Sequence, residues 1–278
     1  WMKDYKIPAY NEDKGTGIVR HIMGRTGVHS GEIMVCIVTA VPMVPHMKEL
    51  VQMLRKDVQG LTSVIQNINT RHTNVILGNK TKVIYGSPTI SDSIGDLSFR
   101  ISAQSFFQVN SEQAQKLYDT ALSYADLKGN ETVVDVYCGT GTITLFLAKR
   151  AKFAYGIEIV EPAIRDAVKN AKDNGVKNAH FMCGDAAYKL PELLRSGVKP
   201  DVIVIDPPRA GCEEKVLNAI ASVRPKRVVY VSCNPATLAR DLAYMKTRGY
   251  ETKKVQPVDM FPQTHHIETV CLLSRKDK

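Results

Sequence analysis

The chain has 278 residues, 44% of them hydrophobic, and 37 Lys+Arg against 28 Asp+Glu give a net charge of +9. That length accommodates one large α/β domain and a smaller partner. No apolar run is long enough to span a bilayer, and no basic-then-apolar signal pattern opens the chain, so a cytoplasmic protein without membrane partners is expected. The six cysteines are scattered with no C-x-x-C pair, against a zinc ribbon or a secreted disulfide framework. The basic surplus suits a polyanionic partner such as nucleic acid, although charge serves solubility as well.

Trp1 stands within already patterned sequence, so the chain is expected to be a fragment with an N-terminal part preceding it. Residues 1–95 alternate short strand patterns with turns: strands are predicted over 17–23, 32–40 and 82–85, and an amphipathic helix over 46–58 stopped by Gly60. Residues 70–74 form a polar loop. This reads as a small α+β domain without a catalytic constellation. Arg20, His21 and Arg25 on the first strand either face a phosphate backbone or make a solvated strand face.

The second predicted domain, 96–278, opens with a strand over 97–103, then Phe106-Phe107-Gln108-Val109-Asn110, then a helix over 111–125. Phenylalanine can stack on a flat ring and an amide can read hydrogen-bonding edges. Alternatively both rings are core and Asn110 or Ser111 caps the helix. Next come a buried strand (133–137), the turn Cys138-Gly139-Thr140-Gly141-Thr142, a helix (143–151) and a strand (154–159) with Glu158 near its end. The glycines allow close backbone approach to a ligand, and Glu158 is placed to accept both ribose hydroxyls. Thr144 stands where a dinucleotide fold would have a third glycine, which favours a ligand without a pyrophosphate. S-adenosylmethionine fits. A further helix (161–174) and strand (179–183) deliver Asp185, which is suited to an adenine amino group, to capping the next helix, or to both.

The strand over 201–205 ends in Asp206-Pro207-Pro208-Arg209, a stiffened carboxylate that could meet a heterocycle edge beside the cofactor. Cys212 follows, in what Gly211 and Glu213-Glu214 suggest is an exposed loop, as a competing thiol. The apolar run 228–231 leads into Ser232-Cys233-Asn234-Pro235, which places a thiol at a strand end before a helix over 236–245. Cys233 is either a nucleophile, given a nearby positive charge or helix N-terminus, or a buried apolar residue. Strands over 250–255 and 267–274 suggest a terminal β-hairpin with one strand antiparallel to the rest, and Glu268 at the last strand's mouth is a candidate base. His265-His266 has no third ligand pattern beside it, so no metal is expected.

A thiol, a methyl-donor site and a carboxylate together suit addition to uracil C6 followed by substitution at C5. Phe106-Phe107-Gln108-Val109-Asn110, Asp206-Pro207-Pro208-Arg209-Ala210-Gly211, Ser232-Cys233-Asn234-Pro235-Ala236-Thr237 and the stretch from Phe261 to Glu268 together resemble the RNA uracil-5 methyltransferases. The resemblance is close over 97–278, and 1–96 is similar to that family's central domain. It implies an α/β, class I S-adenosylmethionine-dependent methyltransferase with a mostly parallel, Rossmann-like seven-stranded sheet and a smaller N-terminal α+β domain. It further implies Cys233 as nucleophile and Glu268 as general base. Gln108, Tyr137, Thr142, Glu158, Asp185 and Asp206 would line the cofactor site, and Phe106, Gln108 and Asp206 would hold a flipped uracil. Position 142 is Thr where some relatives carry Asn. The continuation over 236–241 resembles the 23S ribosomal RNA branch more than the transfer-RNA branch. Members of that branch usually carry an N-terminal TRAM domain and some an iron–sulfur cluster, neither of which is found in this sequence. The expected protein is a monomer acting on 23S rRNA. The rival readings are a tRNA uracil-5 methyltransferase, an adenine N-methyltransferase, a cytosine-5 methyltransferase and a non-enzymatic RNA-binding module.

Overall fold

A computed structural model of the protein describes residues 1–276. The chain divides into two compact units, one made of Trp1–Ser93 and Phe99–Ser105, the other of Ile94–Ser98 and Phe106–Lys278.

The first unit holds β1 (Val19–Thr26), β2 (Ile33–Thr39), α1 (Met47–Asp57), β3 (Leu61–Ile68) and β4 (Lys80–Gly86), with the strands paired in that order. β1–β2 and β3–β4 are antiparallel, whereas β2–β3 is parallel and is crossed over by α1. Residues at helical spacing on α1 explain its docking: Leu50 is buried with Ile7, Val19 and Ile37, and Met47 and Leu54 pack beside them. β3 departs from the sequence expectation, which reads no strand there. Its Ser63, Gln66 and Asn67 are buried polar residues, each interrupting an apolar run. The two amides are satisfied internally, Gln66 by donating to the Thr39 hydroxyl at 2.9 Å and Asn67 by exchanging bonds with Gly78 at 2.9 and 2.7 Å. A hairpin of β5 (Thr89–Ile94) and β6 (Leu97–Ser102) contributes residues to both units.

The second unit contains α2 (Ser111–Ala125), β7 (Thr132–Val136), α3 (Thr142–Ala148), β8 (Phe153–Glu158), α4 (Glu161–Asp173), β9 (Ala179–Cys183) and α5 (Ala186–Arg195). It continues with β10 (Val202–Ile205), α6 (Glu214–Val223), β11 (Arg227–Ser232), α7 (Pro235–Thr247), β12 (Tyr250–Val258) and β13 (Glu268–Arg275). The strands form one seven-stranded sheet in the order β12-β13-β11-β10-β7-β8-β9. β9, β8, β7, β10 and β11 are mutually parallel, and β13 enters antiparallel between β11 and β12. This is the mostly parallel α/β sheet expected from the sequence, including the antiparallel final strand. Helices cover its central strands on both faces, so Val202–Ile205 is buried throughout. Leu190, Leu193, Val216, Leu217 and Ile220 pack on Ile203, Ile205 and Val228, and each such side chain contributes about 1.5–3 kcal/mol of burial.

Connectivity positions the site. The chain runs outward from β7 to β9, then returns to place β10 on the other side of β7. Ligands of open α/β sheets bind at the carboxyl edge beside such a reversal, and β7, β8, β9, β10 and β11 all deliver their carboxyl ends there. β13 runs the other way, so its first residue, Glu268, reaches the same edge: the adjacent Thr269 pairs with Ser232, the last residue of β11. Among the described residues no helix is long and apolar enough to cross a membrane.

Candidate active site

The glycine turn after β7 is fixed from two directions. Tyr137 takes a left-handed backbone (φ 69°), which is strained for a residue with a side chain and recurs at ligand sites. The N–H groups of Tyr137 and Cys138 both donate to the Ile157 carbonyl, at 2.9 and 3.1 Å. Glu158 closes the turn from β8: its Oε2 accepts the Gly139 N–H at 3.2 Å and its Oε1 accepts the Val160 N–H at 2.9 Å. Gly141 has φ +84°, and a Cβ there would lie 3.0 Å from the Ala167 methyl and 3.1 Å from the Phe181 ring. Glycine is therefore required at 141 both by conformation and by space.

Asp185 caps α5, its Oδ1 accepting the Ala187 N–H at 2.9 Å, while Oδ2 pairs with Lys215 Nζ at 2.9 Å. Lys215 and the cap hold its carboxyl below the usual carboxylate range. Tyr137, Glu158 and Asp185 share a cleft of about 140 Å³ with Ile157, Ile159, Glu213 and Val216. Apolar walls and acidic edges suit a flat base carrying a sugar diol. Burial, with Cys212 and the acids Glu213 and Asp185 nearby, pushes the Tyr137 hydroxyl up, so it remains a donor.

A second group gathers at the ends of β10, β11 and β13. Ser232 makes a tight turn, its hydroxyl bonded at 3.1 Å to both the N–H and the carbonyl of Asn234. Asn234 then caps α7 by accepting the Ala236 N–H at 3.0 Å, and Pro235 fills the first turn. Between them the half-buried Cys233 thiol is raised by burial and by Glu268 and Asp206, and is drawn back down by Arg209. Burial also raises the Glu268 carboxyl, against Arg209. Asp206 is pushed well above the carboxylate range by burial, with Glu268 and Asp135 adding repulsion. The Asp206 and Glu268 carboxyls and the Arg209 guanidinium make no hydrogen bond or ion pair among the described residues.

Tyr118 of α2, fully buried, lies near the Thr142 side chain and within electrostatic reach of Asp206, Asp135 and Glu268. Thr142 is thereby tied to this second group. Asp135 sits behind the glycine turn, with Oδ2 accepting the Thr144 hydroxyl at 2.6 Å and Oδ1 without a partner; burial pushes its carboxyl up to about 7. Gln108 is buried before α2, and Asn110 caps that helix and donates to the Met260 carbonyl at 3.1 Å. Phe106 is 71% exposed. The His265 and His266 rings lie 4.0 Å apart at a tilt of 43°, near Phe261, and no cluster able to hold a metal occurs among the described residues.

Two sequence expectations are corrected. Cys212 does not lie in an exposed loop; it is buried at 5% near Tyr230 and Tyr137, and its thiol is pushed up to about 12 by burial. A thiol so held is a packing group. Arg20 faces neither phosphate nor solvent, because its side chain is 1% exposed, paired with Glu12 and donating to the carbonyls of Asn69, Arg71 and Thr73. Arg209, Tyr118 and Lys215 lie beside the candidate site residues and are not singled out by the sequence reading. The Arg209 charge beside Asp206-Pro207-Pro208 was the one visible signal.

Residues 28–276 match the family model described as tRNA (uracil-5-)-methyltransferase. Two proteins described as uncharacterized RNA methyltransferases are close in sequence. That of Clostridium acetobutylicum is 51% identical over the whole of this chain, and that of Halalkalibacterium halodurans 53% identical over 99% of it. In both cases the chain spans 60% of the relative's length. The crystal structure of the Pyrococcus abyssi tRNA (uracil-54, C5)-methyltransferase in complex with S-adenosyl-L-homocysteine superimposes with a TM-score of 0.80 at 30% identity, covering 98% of this chain and 64% of that one. Trm5b of Pyrococcus abyssi, at 16% identity and a TM-score of 0.57 over 87% of this chain and 72% of its own, shares the fold. The sheet is that of the S-adenosylmethionine-dependent methyltransferases, and the chain belongs to the tRNA (uracil-5-)-methyltransferase family.

Proposed function

We propose that the protein methylates carbon 5 of a uridine in RNA, using S-adenosylmethionine, through a covalent bond between Cys233 and carbon 6 of the ring. The observation that carries this reading is the meeting of Cys233, Glu268, Asp206 and Arg209 at one sheet edge, with both carboxyls unpartnered. The glycine turn and the cleft lined by Tyr137, Glu158 and Asp185 fit an adenosine, with Gln108, Thr142 and Asp206 extending the cofactor site toward the thiol. When bound, S-adenosylmethionine supplies an electrophilic methyl group on a cationic sulfonium.

Cys233 gives up its thiol proton to solvent and adds as the thiolate to carbon 6, and the ring electrons shift onto oxygen 4 as an enolate, so that carbon 5 becomes nucleophilic. After methylation Glu268 removes the proton from carbon 5, and expulsion of the thiolate restores the ring. A carboxyl raised above its ordinary range suits that task, because a base nearer neutrality is the stronger proton acceptor. Asp206, its carboxyl pushed up by burial with Glu268 and Asp135 nearby, would hydrogen-bond the uracil edge, and Gln108 would supply an amide. Phe106 is exposed and free to stack on a base turned out of its helix.

The RNA proposed is 23S rRNA, on the resemblance of residues 236–241. The 30% likeness to the Pyrococcus abyssi tRNA enzyme favours a second reading, tRNA. Methyl-labelled S-adenosylmethionine, with 23S rRNA and tRNA transcripts compared side by side, tests both. Labelled 5-methyluridine recovered from 23S rRNA supports the proposal; label in tRNA alone moves the substrate, and label in adenosine or cytidine overturns the chemistry.

A further inference from the structure

The loop bearing Arg209 is held by one buried carboxylate, Asp241 of α7, which is 1% exposed. Its Oδ2 accepts the Tyr230 hydroxyl at 2.6 Å and the Cys212 N–H at 2.8 Å, and its Oδ1 accepts Arg240 Nε at 2.8 Å. Arg240 Nη2 reaches back to the carbonyls of Ala210 and Cys212, at 2.9 and 3.3 Å. Asn234 Nδ2 and Thr237 Oγ1 donate to the Arg209 carbonyl at 3.1 and 3.2 Å. The approach is tight enough that a Cβ on Gly211 would lie 2.5 Å from Arg240 Nη2 and 2.6 Å from Asp241 Oδ2. Backbone polar groups from Arg209 to Cys212 are thus bound to α7, the helix that Asn234 starts beside the thiol.

We propose that Asp241 is a positioning residue for the methyl transfer: by locking the loop over 209–212 onto α7, it holds the Arg209 guanidinium beside Cys233 and Glu268. This rests on the reading of Cys233 as nucleophile. A buried carboxylate makes stronger hydrogen bonds than a neutral group: Asp241 takes one directly from the loop, at the Cys212 N–H, and one from Arg240, which carries the grip on to the Ala210 and Cys212 carbonyls, while the Arg209 cation on the same loop stays exposed. Arg209 is a cation close enough to favour the Cys233 thiolate, and Glu268 and Asp206 oppose it. A clamp that lets the loop swing away removes that cation and leaves the two acids.

The test measures alkylation of Cys233 by iodoacetamide across pH, read peptide by peptide by mass spectrometry, with exposed Cys183 as the internal standard. It needs neither RNA nor cofactor. Arg209→Gln should slow Cys233 at pH 7 by about threefold or more, since a neighbouring cation favours the thiolate. Asp241→Asn, which keeps the volume, should slow it in the same direction, and the double variant should be no slower than Arg209→Gln alone. Cys183 should not change in any of them. An unshifted Cys233 profile in Asp241→Asn, or effects that multiply in the double variant, would overturn the proposal. If Asp241→Asn does not fold, Tyr230→Phe enters the same cycle: slowing that does not multiply with Arg209→Gln supports the clamp, and an unchanged profile overturns it. A confirmed cycle in a protein that makes no 5-methyluridine would uphold the clamp and refute the function.

Discussion

Two arginines, one in each unit, show how this molecule spends charge. Arg20 is enclosed by Glu12 and three backbone carbonyls and stacks over the Tyr10 ring at 4.7 Å. Arg209 lies exposed with its guanidinium unbonded, yet it acts on Cys233, Glu268 and His266. The first unit satisfies the Arg20 charge internally, as a structural interior requires, although the Arg25 Nε there is buried without a partner among the described residues. The second leaves two buried or half-buried carboxyls and a thiol without partners at one edge, at a cost in stability that only a ligand would offset. Between these two arginines the satisfied charge belongs to architecture and the unbonded one stands with the proposed chemistry.

Variants can break that comparison. The largest effect is expected from Cys233→Ala, which should abolish methyl transfer while leaving S-adenosylmethionine affinity and melting temperature close to wild type; turnover by this variant would remove the nucleophile. Glu268→Gln should form the RNA adduct but release it about 10²–10⁴-fold more slowly. In the wild type the release step should rise with pH, because Glu268 must lose its proton and burial has raised the pH at which it does so. A pH-independent release rate would contradict its role as base. On the other side of the comparison, Arg20→Met should leave the second unit's chemistry intact but destabilise the first by roughly 2–4 kcal/mol, since Glu12 and three carbonyls lose a charged donor. Denaturant unfolding reads that directly. The smallest effect is Lys215→Met: its solvent-screened pair with Asp185 contributes little, and Asp185 keeps its helix cap, so S-adenosylmethionine affinity should fall only slightly in a titration.

What the sequence makes legible follows the same division. Strands such as Val202–Ile205 and the Asn234-Pro235 helix start are local patterns, and they stand where periodicity and capping chemistry put them. β3 was not legible because Gln66 and Asn67 look like loop residues until Thr39 and Gly78 are brought to them across the sheet. Cys212 was misread for the converse reason: Glu213 and Glu214 are polar neighbours, but the chain turns its thiol inward onto Tyr230 and Tyr137. The Asp241 bonds to Tyr230 and Cys212 span 11 and 29 residues, and no short-range pattern announces such pairings. Strand-end groups were readable one by one; which acids would remain unpartnered required the fold.

The most direct test of the account uses RNA containing 5-fluorouridine with S-adenosylmethionine, resolved on a denaturing gel. Fluorine on carbon 5 cannot leave as a proton does, so thiol addition should trap the protein on the RNA, and the shifted band should vanish in Cys233→Ala. An RNA that binds and is turned over without any trapped species would contradict covalent catalysis by Cys233.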